Sequence, residues 1–244
     1  MDLKANEVTQ DSIQKCVNEL AKTKAPKTVR SLHGFISAVI GNYNPHLKLN
    51  TTLPQKIKKD VYIPSAEEVK KILEYTLKVN PMFYVPLALA SSCGMRRSEI
   101  LALKLSDIHD GEVYIHSALV ENESNEWVEK TTKTYSSTRT VPIKPDLEAY
   151  IKNQGYVYKG GAESIANFLK RAERVLGIKE FSLHKLRHFF ASQLLSNGVP
   201  MKDVMLLGGW ETDTTLKEVY AHAMNAKTKE GKQRISEELW KSIF

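Results

Sequence analysis

The chain is 244 residues long, with 42% hydrophobic residues and a formal charge of +7 from 35 basic and 28 acidic side chains. That length holds one large domain, or a small one beside a larger one, and the apolar share is too high for a disordered tail. Two isolated cysteines, Cys16 and Cys93, exclude a disulfide scaffold or cysteine metal cluster and fit a reducing compartment.

No run approaches the roughly 18 apolar residues of a membrane span, and no signal-peptide pattern opens the chain. Both points argue against a membrane-spanning role. The basic excess favours a polyanionic partner, and it also fits an ordinary soluble protein of high pI. It is uneven: residues 1–60 carry ten Lys/Arg against five Asp/Glu.

DSIQKCVNELAKT and KTVRSLHGFISAVIGNY read as two amphipathic helices on either side of Pro26. Ile13, Val17 and Leu20 share one face of the first; Val29, Leu32, Phe35, Ile36 and Val39 share a face of the second. A run with three prolines follows, and its part from Leu53 to Pro64 reads as an extended linker bearing Lys56, Lys58 and Lys59. The expected organisation is a small helical region over 1–53, a basic linker over 54–64 and a compact domain over 65–244.

That domain opens with SAEE, a capping box in which Ser65 and Glu68 satisfy each other's backbone donors. PMFYVPLALASSCG reads as an apolar helix ended by Gly94, and RRSEILALKLSDI as a new short helix. EVYIHSAL, EWVEKTT and RTVPI alternate as three strands, the first two joined by the polar turn ENESN. DLEAYIKNQ, GAESIANFLKRAERVLG, SLHKLRHFFASQLLSNG, PMKDVMLLGG and DTTLKEVYAHAM read as helices, several closed by glycine. In the last short helix, Ile235, Leu239, Trp240 and Ile243 form an apolar stripe that packs on its own domain or docks on a neighbour. The expected fold is mainly helical with a small antiparallel sheet, an α+β class.

Four segments can carry chemistry. In SCGMRRSEILAL, Arg96 and Arg97 open a helix whose free N–H groups already favour an anion, and an arginine fork suits two phosphate oxygens. The alternative is a solvated arginine pair with Glu99 as a local ion partner. In SLHKLRHFFASQLL, the helical period puts His184, Arg187 and His188 on one side, suited to a small anion. Zinc between the two histidines competes, but the segment lacks an HExxH glutamate. Lys133, in TTKTYSSTRTVPI, sits at a hairpin tip from which it can deliver a proton, or it is simply a turn lysine. In LGGWETDTTLKEVYAHA, Trp210 and Tyr220 are either packing residues or chemistry. Ionising a tyrosine at neutral pH costs about 4 kcal/mol, so a reactive Tyr220 needs positive charge from elsewhere.

In this order, GMRRSE, TKTYSSTRTVPI, HKLRH and LGGW followed by VYAH resemble the tyrosine recombinases, which include phage and conjugative-transposon integrases and chromosome-dimer resolving recombinases. The resemblance covers Ser65 to Ala223, and the helices before Pro54 resemble the end of the family's core-binding domain. It implies the family's DNA breaking-rejoining fold, with Arg96 and Arg187 as phosphate-holding arginines, Glu99 as their brace and His184 as the HxxR histidine. Lys133 would protonate the leaving oxygen, Tyr220 would be the nucleophile, and His188 would give support. The family's usual histidine after Leu-Gly is missing here. Trp210, whose indole N–H can donate to a phosphate oxygen, or Gly209 takes its place.

Arg97, Arg139, Lys56, Lys58 and Lys59 are expected on the DNA backbone, with the linker spanning the duplex and affinity falling steeply with salt. The resemblance further implies double-stranded DNA as partner, and a homo-oligomer on it, from dimer to cyclic tetramer, docked through the C-terminal stripe. It implies no metal, no other cofactor, and a location in the bacterial cytoplasm at the nucleoid. A non-catalytic DNA-binding protein and a type IB topoisomerase-like enzyme are the alternatives, separable by trapping a covalent adduct.

Overall fold

In the computed structural model, which describes residues 8–56, 62–131, 138–214, 216 and 217, the chain divides into two units, 1–60 and 61–244. Helix α1 (Gln10–Thr23) of the first unit starts at Thr9, whose hydroxyl accepts from the Ser12 N–H while Ser12 caps in return. Helix α2 (Pro26–Tyr43) starts with proline at its first position, where no N–H is needed. Ile13 and Val17 of α1 close on Val29 and Ile40 of α2, with Leu47, Leu49 and Leu53 packed against them.

The stretch after α2 is docked on its own unit. The Gln10 and Gln14 side-chain amides each exchange two hydrogen bonds with the backbone of Asn50 and Thr52, at 2.8–3.2 Å. Two glutamines one helical turn apart thus act as a substitute sheet edge. Arg30 Nη1 then donates to the Pro54 carbonyl at 2.8 Å.

The expected face of α2 is corrected. Val29 and Ile40 point inward, whereas Leu32, Phe35 and Val39 are 40%, 71% and 37% exposed. The helix carries two neighbouring apolar stripes, and one helix plus one extended segment cover only one of them.

In the second unit, Tyr62 donates to Glu68 at 2.6 Å and Ile63 is buried, so both lie with the larger unit. Helix α3 (Ala66–Val79) carries the Ser65–Glu68 capping box. After a 3₁₀ turn at Pro81–Phe83, α4 (Tyr84–Ser92) is buried from Val85 to Ser91. It is the central post, with α3, α5 (Arg97–Ala102), α6 (Pro145–Gln154) and α8 (His184–Ser196) around it. An all-round apolar helix such as PLALA is what a core post requires.

Strands β1 (Ile108–His109), β2 (Glu112–Ile115) and β5 (Arg139–Pro142) form an antiparallel sheet in the order β1-β2-β5. Strands β3 (Ser117–Glu121) and β4 (Trp127–Thr131) form a separate hairpin. The single strand expected over EVYIHSAL is therefore two. It breaks at His116, whose ring reaches Asp107 at 3.2 Å, because its two halves pair with different partners. Helix α7 (Ala162–Leu176) packs on α3, and α9 (Met201–Gly208) packs on α8 and β5.

The main core joins Ile72, Leu87, Leu89, Ile100, Ile115, Ile151, Leu169 and Leu186, each worth about 1.5–3 kcal/mol on burial. Among the described residues no helix is long and apolar enough to cross a membrane. The architecture is mainly helical with a small antiparallel sheet, as the sequence predicts.

Candidate functional site

Helix α4 ends at Cys93, and the chain turns at Gly94 with φ of +62°, a region closed to most side chains. A Cβ at Gly94 would also overlap the Phe190 ring. The turn delivers Arg96 to the N-cap of α5, where its backbone N–H donates to Glu99 Oε2 at 2.7 Å and its Nη1 to Oε1 at 2.6 Å. From β5, Arg139 donates to the same carboxylate: Nη1 to Oε1 at 3.0 Å and Nη2 to Oε2 at 2.9 Å. Glu99 is 2% exposed. Burial alone would push its pKa up, but the Arg139 bonds and charge, with Arg96, reverse this and hold it below the usual carboxylate range.

The same two arginines grip the end of α9. Arg96 Nη2 donates to the Gly209 carbonyl at 2.6 Å, and Arg139 Nε to the Leu207 carbonyl at 2.8 Å. A helix C-terminus presents unpaired carbonyls and partial negative charge, so cations settle there. Arg139 was expected on the DNA backbone. Instead its guanidinium is buried inside the fold, facing Glu99 and Leu207. Arg97 does lie at the surface, paired with Glu163 at 2.8 Å.

Arg187, on α8, is 1% exposed. Its Nη1 donates to the Gly94 carbonyl at 2.7 Å, and its Cζ lies over the Trp210 ring, 4.0 Å from the ring centroid. Nε and Nη2 are buried and have no hydrogen-bond partner among the described residues. Burial, and then the charge of Arg96, bring its pKa down to about 9, so the group is still cationic at neutral pH. A buried cation with two idle donors beside a second arginine suits an anion that offers two oxygens.

His184, the first residue of α8, is held below the ordinary imidazole pKa by partial burial and by Arg187, Lys185 and Arg96. It is therefore neutral at pH 7. His188 is pushed down to about 4 by burial, with Lys185, His184 and Arg187 adding to it. The two imidazoles meet edge to face, centroids 4.9 Å apart. Among the described residues, no group of three or more metal-ligating side chains is gathered around them or elsewhere.

The structure thus brings Arg96, Glu99, His184, Arg187, His188, Gly209 and Trp210 together from α5, α8 and the end of α9. Gly209 contributes its carbonyl, and Trp210 contributes its ring, which leans on Gly208 where a Cβ would overlap it. Lys56 is exposed in the first unit. Lys133, Tyr220, Lys58, Lys59, Ile235, Leu239, Trp240 and Ile243 lie outside the described residues.

Beside the arginines opens a cavity of about 630 Å³, with Arg96, Arg97, Lys170 and His184 among its polar lining and Met95, Leu169 and Leu183 among its apolar lining. The carboxyl of Glu173, also on its wall, is pushed up to about 7 by burial. No motif in the sequence marks Glu173, and Arg139 is buried rather than at the surface. The signal for Arg139 was present: in RTVPI, residues 139, 141 and 143 alternate inward, so the arginine shares the buried register of Val141 and Ile143.

The pattern of the phage integrase family matches residues 62–227. The chain is similar to a Tyrosine recombinase XerC-like protein of Caldanaerobacter subterraneus subsp. tengcongensis, 27% identical over 91% of this chain and 69% of the relative. It is 31% identical to Tyrosine recombinase XerD of Oceanobacillus iheyensis, over 83% of this chain and 71% of the relative. Its fold resembles the Tn1549 transposon integrase solved with transposon right end DNA, with a TM-score of 0.75, 18% identity and coverage of 96% and 88% of the two chains. It also resembles the lambda integrase tetramer bound to a Holliday junction, with a TM-score of 0.62, 18% identity and coverage of 90% and 66%. Because the family pattern starts in the turn before α3 and runs through every element that builds the arginine cluster, the chain belongs to the phage integrase family of tyrosine recombinases.

Proposed function

We propose that this recombinase cleaves and rejoins double-stranded DNA through Tyr220, by way of a 3′-phosphotyrosyl link, in the integration or excision of a mobile element. The observation that carries the proposal is Arg187, a fully buried cation whose Nε and Nη2 have no partner among the described residues. Arg187 and Arg96 would take the two non-bridging oxygens of one phosphodiester. Charge on those oxygens grows as phosphorus becomes pentacoordinate, so donors fixed in advance lower the barrier more than they tighten the ground state.

The Tyr220 oxygen attacks phosphorus in line; the Tyr–O–P bond forms and the bond to the 5′ oxygen breaks. The phenol proton leaves through His184, whose neutral ring can accept it, and Lys133 gives a proton to the departing oxygen. The field of the two arginines offsets part of the roughly 4 kcal/mol that the phenolate costs. The arginines supply the positive charge that a metal ion would bring to such a step. The link keeps the phosphodiester's energy, so a 5′ hydroxyl from a partner strand reverses it and completes exchange.

DNA as the partner is supported by the Tn1549 and lambda integrase structures on DNA, and an oligomer on DNA by the lambda integrase dimer and tetramer. The test is a nicked suicide duplex panel: the wild type should accumulate a covalent protein–DNA adduct that Tyr220→Phe does not form. Adduct formation by Tyr220→Phe equal to the wild type would remove Tyr220 from the reaction, and no adduct from the wild type on any duplex would overturn the enzyme.

A further inference from the structure

We infer that Arg139 is a positioning residue for strand cleavage, one buried guanidinium that orients both phosphate-facing arginines without touching DNA. The inference rests on the function proposed above.

The Glu99 carboxylate is shared evenly. Oε1 accepts from Arg96 Nη1 and Arg139 Nη1, and Oε2 accepts from the Arg96 backbone N–H and Arg139 Nη2. The terminal torsion of a glutamate is broad, and of the two Arg96 contacts only the one to Oε2 comes from fixed backbone; the one to Oε1 comes from the side chain that has to be oriented. The Arg139 fork fixes its plane, and with it the direction of the Arg96 side chain.

The third contact reaches the other arginine. Arg139 Nε holds the Leu207 carbonyl while Arg96 Nη2 holds that of Gly209, so the end of α9 is pinned on both sides of Gly208. Directly after it comes Trp210, whose ring lies against Arg187. Arg139 itself is anchored on the sheet, where it pairs with Ile115 of β2. A guanidinium can serve a carboxylate and a separate carbonyl from one rigid plane; a lysine ammonium offers its donors from a single point and cannot. Its Nε, Nη1 and Nη2 are each engaged inside the fold, by the Leu207 carbonyl and the Glu99 carboxylate, and this commitment sets it apart from Arg187 and keeps it from the DNA.

The test compares wild type, Arg139→Lys, Glu99→Gln and the double variant in the full chain, reading DNA affinity and single-turnover cleavage of suicide duplex separately. Arg139→Lys should cleave about 100-fold more slowly, the scale of a misplacement near 1 Å, while affinity moves less than about threefold. If Arg139 acts through Glu99, the double variant should be no more than about threefold slower than the worse single variant. Arg139→Gln, which keeps a planar amide toward Leu207, supplies the same comparison should the lysine variant not fold.

An activity-independent reading uses Trp210 emission in a Trp127→Phe, Trp240→Phe background, which should shift with Arg139→Lys. Cleavage within about threefold of wild type together with unchanged emission would overturn the inference, and so would a parallel loss of affinity and rate, the mark of a phosphate contact. If the wild type forms no adduct, the proposed function fails, and the emission shift still decides whether Arg139 holds the Trp210 segment.

Discussion

The Arg187 guanidinium carbon lies over the Trp210 ring, 4.0 Å from its centroid, while two of the cation's donors have no partner among the described residues. A cation–π contact out of water is worth about 2 kcal/mol. A ring contact takes up none of the N–H donors, which lie in the guanidinium plane where phosphate oxygens bind. We expect Trp210→Ala to slow cleavage about 30-fold, and Trp210→Phe, which keeps a face and loses the N–H, to stay within about fivefold of wild type. Single-turnover cleavage of a suicide duplex measures both. If the phenylalanine variant is as slow as alanine, the indole N–H rather than the ring face is what matters.

Gly94 joins backbone conformation to the site. Its carbonyl is the one hydrogen-bond acceptor of Arg187 among the described residues, and its φ is +62°. Placing alanine there costs about 1–2 kcal/mol for the backbone alone, and the added methyl must displace the Phe190 ring. Gly94→Ala should therefore lower the melting temperature by several degrees and slow cleavage. Adding Phe190→Leu should restore part of the stability by opening room. Thermal melts of the single and double variants check the coupling; equal losses with and without Phe190→Leu would show that only the backbone term operates.

These two relations also mark what was legible in the sequence. Local chemistry was: the Ser65–Glu68 capping box starts α3, and Gly94 stops α4. The arginine, histidine and tryptophan positions could be read from short motifs. The choice between two apolar stripes on α2 could not, because it depends on what covers the helix. Nor could the break at His116, where neighbouring residues join different sheets. The Arg139 brace hid for a related reason. A charged residue in a strand reads as surface until its partner, Glu99, is known to be buried opposite it.

Two buried groups give the stability a pH dependence with opposite signs. Burial pushes His188 down to about 4, so between pH 4 and 6.5 the unfolded chain binds a proton that the folded one does not. Its contribution is complete above 6.5 and is lost as pH falls through that window. Burial, with Glu180 adding and the Phe181 N–H and Lys170 opposing, lifts Glu173 from 4.5 to about 7. Its contribution is complete below 4.5 and is lost as pH rises toward and through 7. The full effect in each case is about 3 kcal/mol. Glu173→Gln should thus be the more stable protein at about pH 8, with the gain vanishing near pH 4.5. His188→Asn should flatten the acid limb. Denaturant melts of both variants against wild type across this range test the signs separately.

Arg187 should show that the site is built for a ligand at the fold's expense. Among the described residues its charge is buried against one carbonyl acceptor and one aromatic ring, and burial brings its pKa down to about 9. Replacing an underpaired buried charge by an apolar side chain of similar length is commonly neutral or stabilising. Against that stands the Gly94 carbonyl, which loses its donor at a cost of about 1–3 kcal/mol. We expect Arg187→Met to melt at or above the wild-type temperature while cleaving at least about 1000-fold more slowly. Arg187→Lys should keep DNA affinity better than rate, since it keeps the charge and loses the fork. Calorimetry paired with adduct trapping reads the two effects on the same samples. A methionine variant that melts far below wild type would mean that Arg187 is held in place by the fold's own needs, and the anion-binding role would lose its main support.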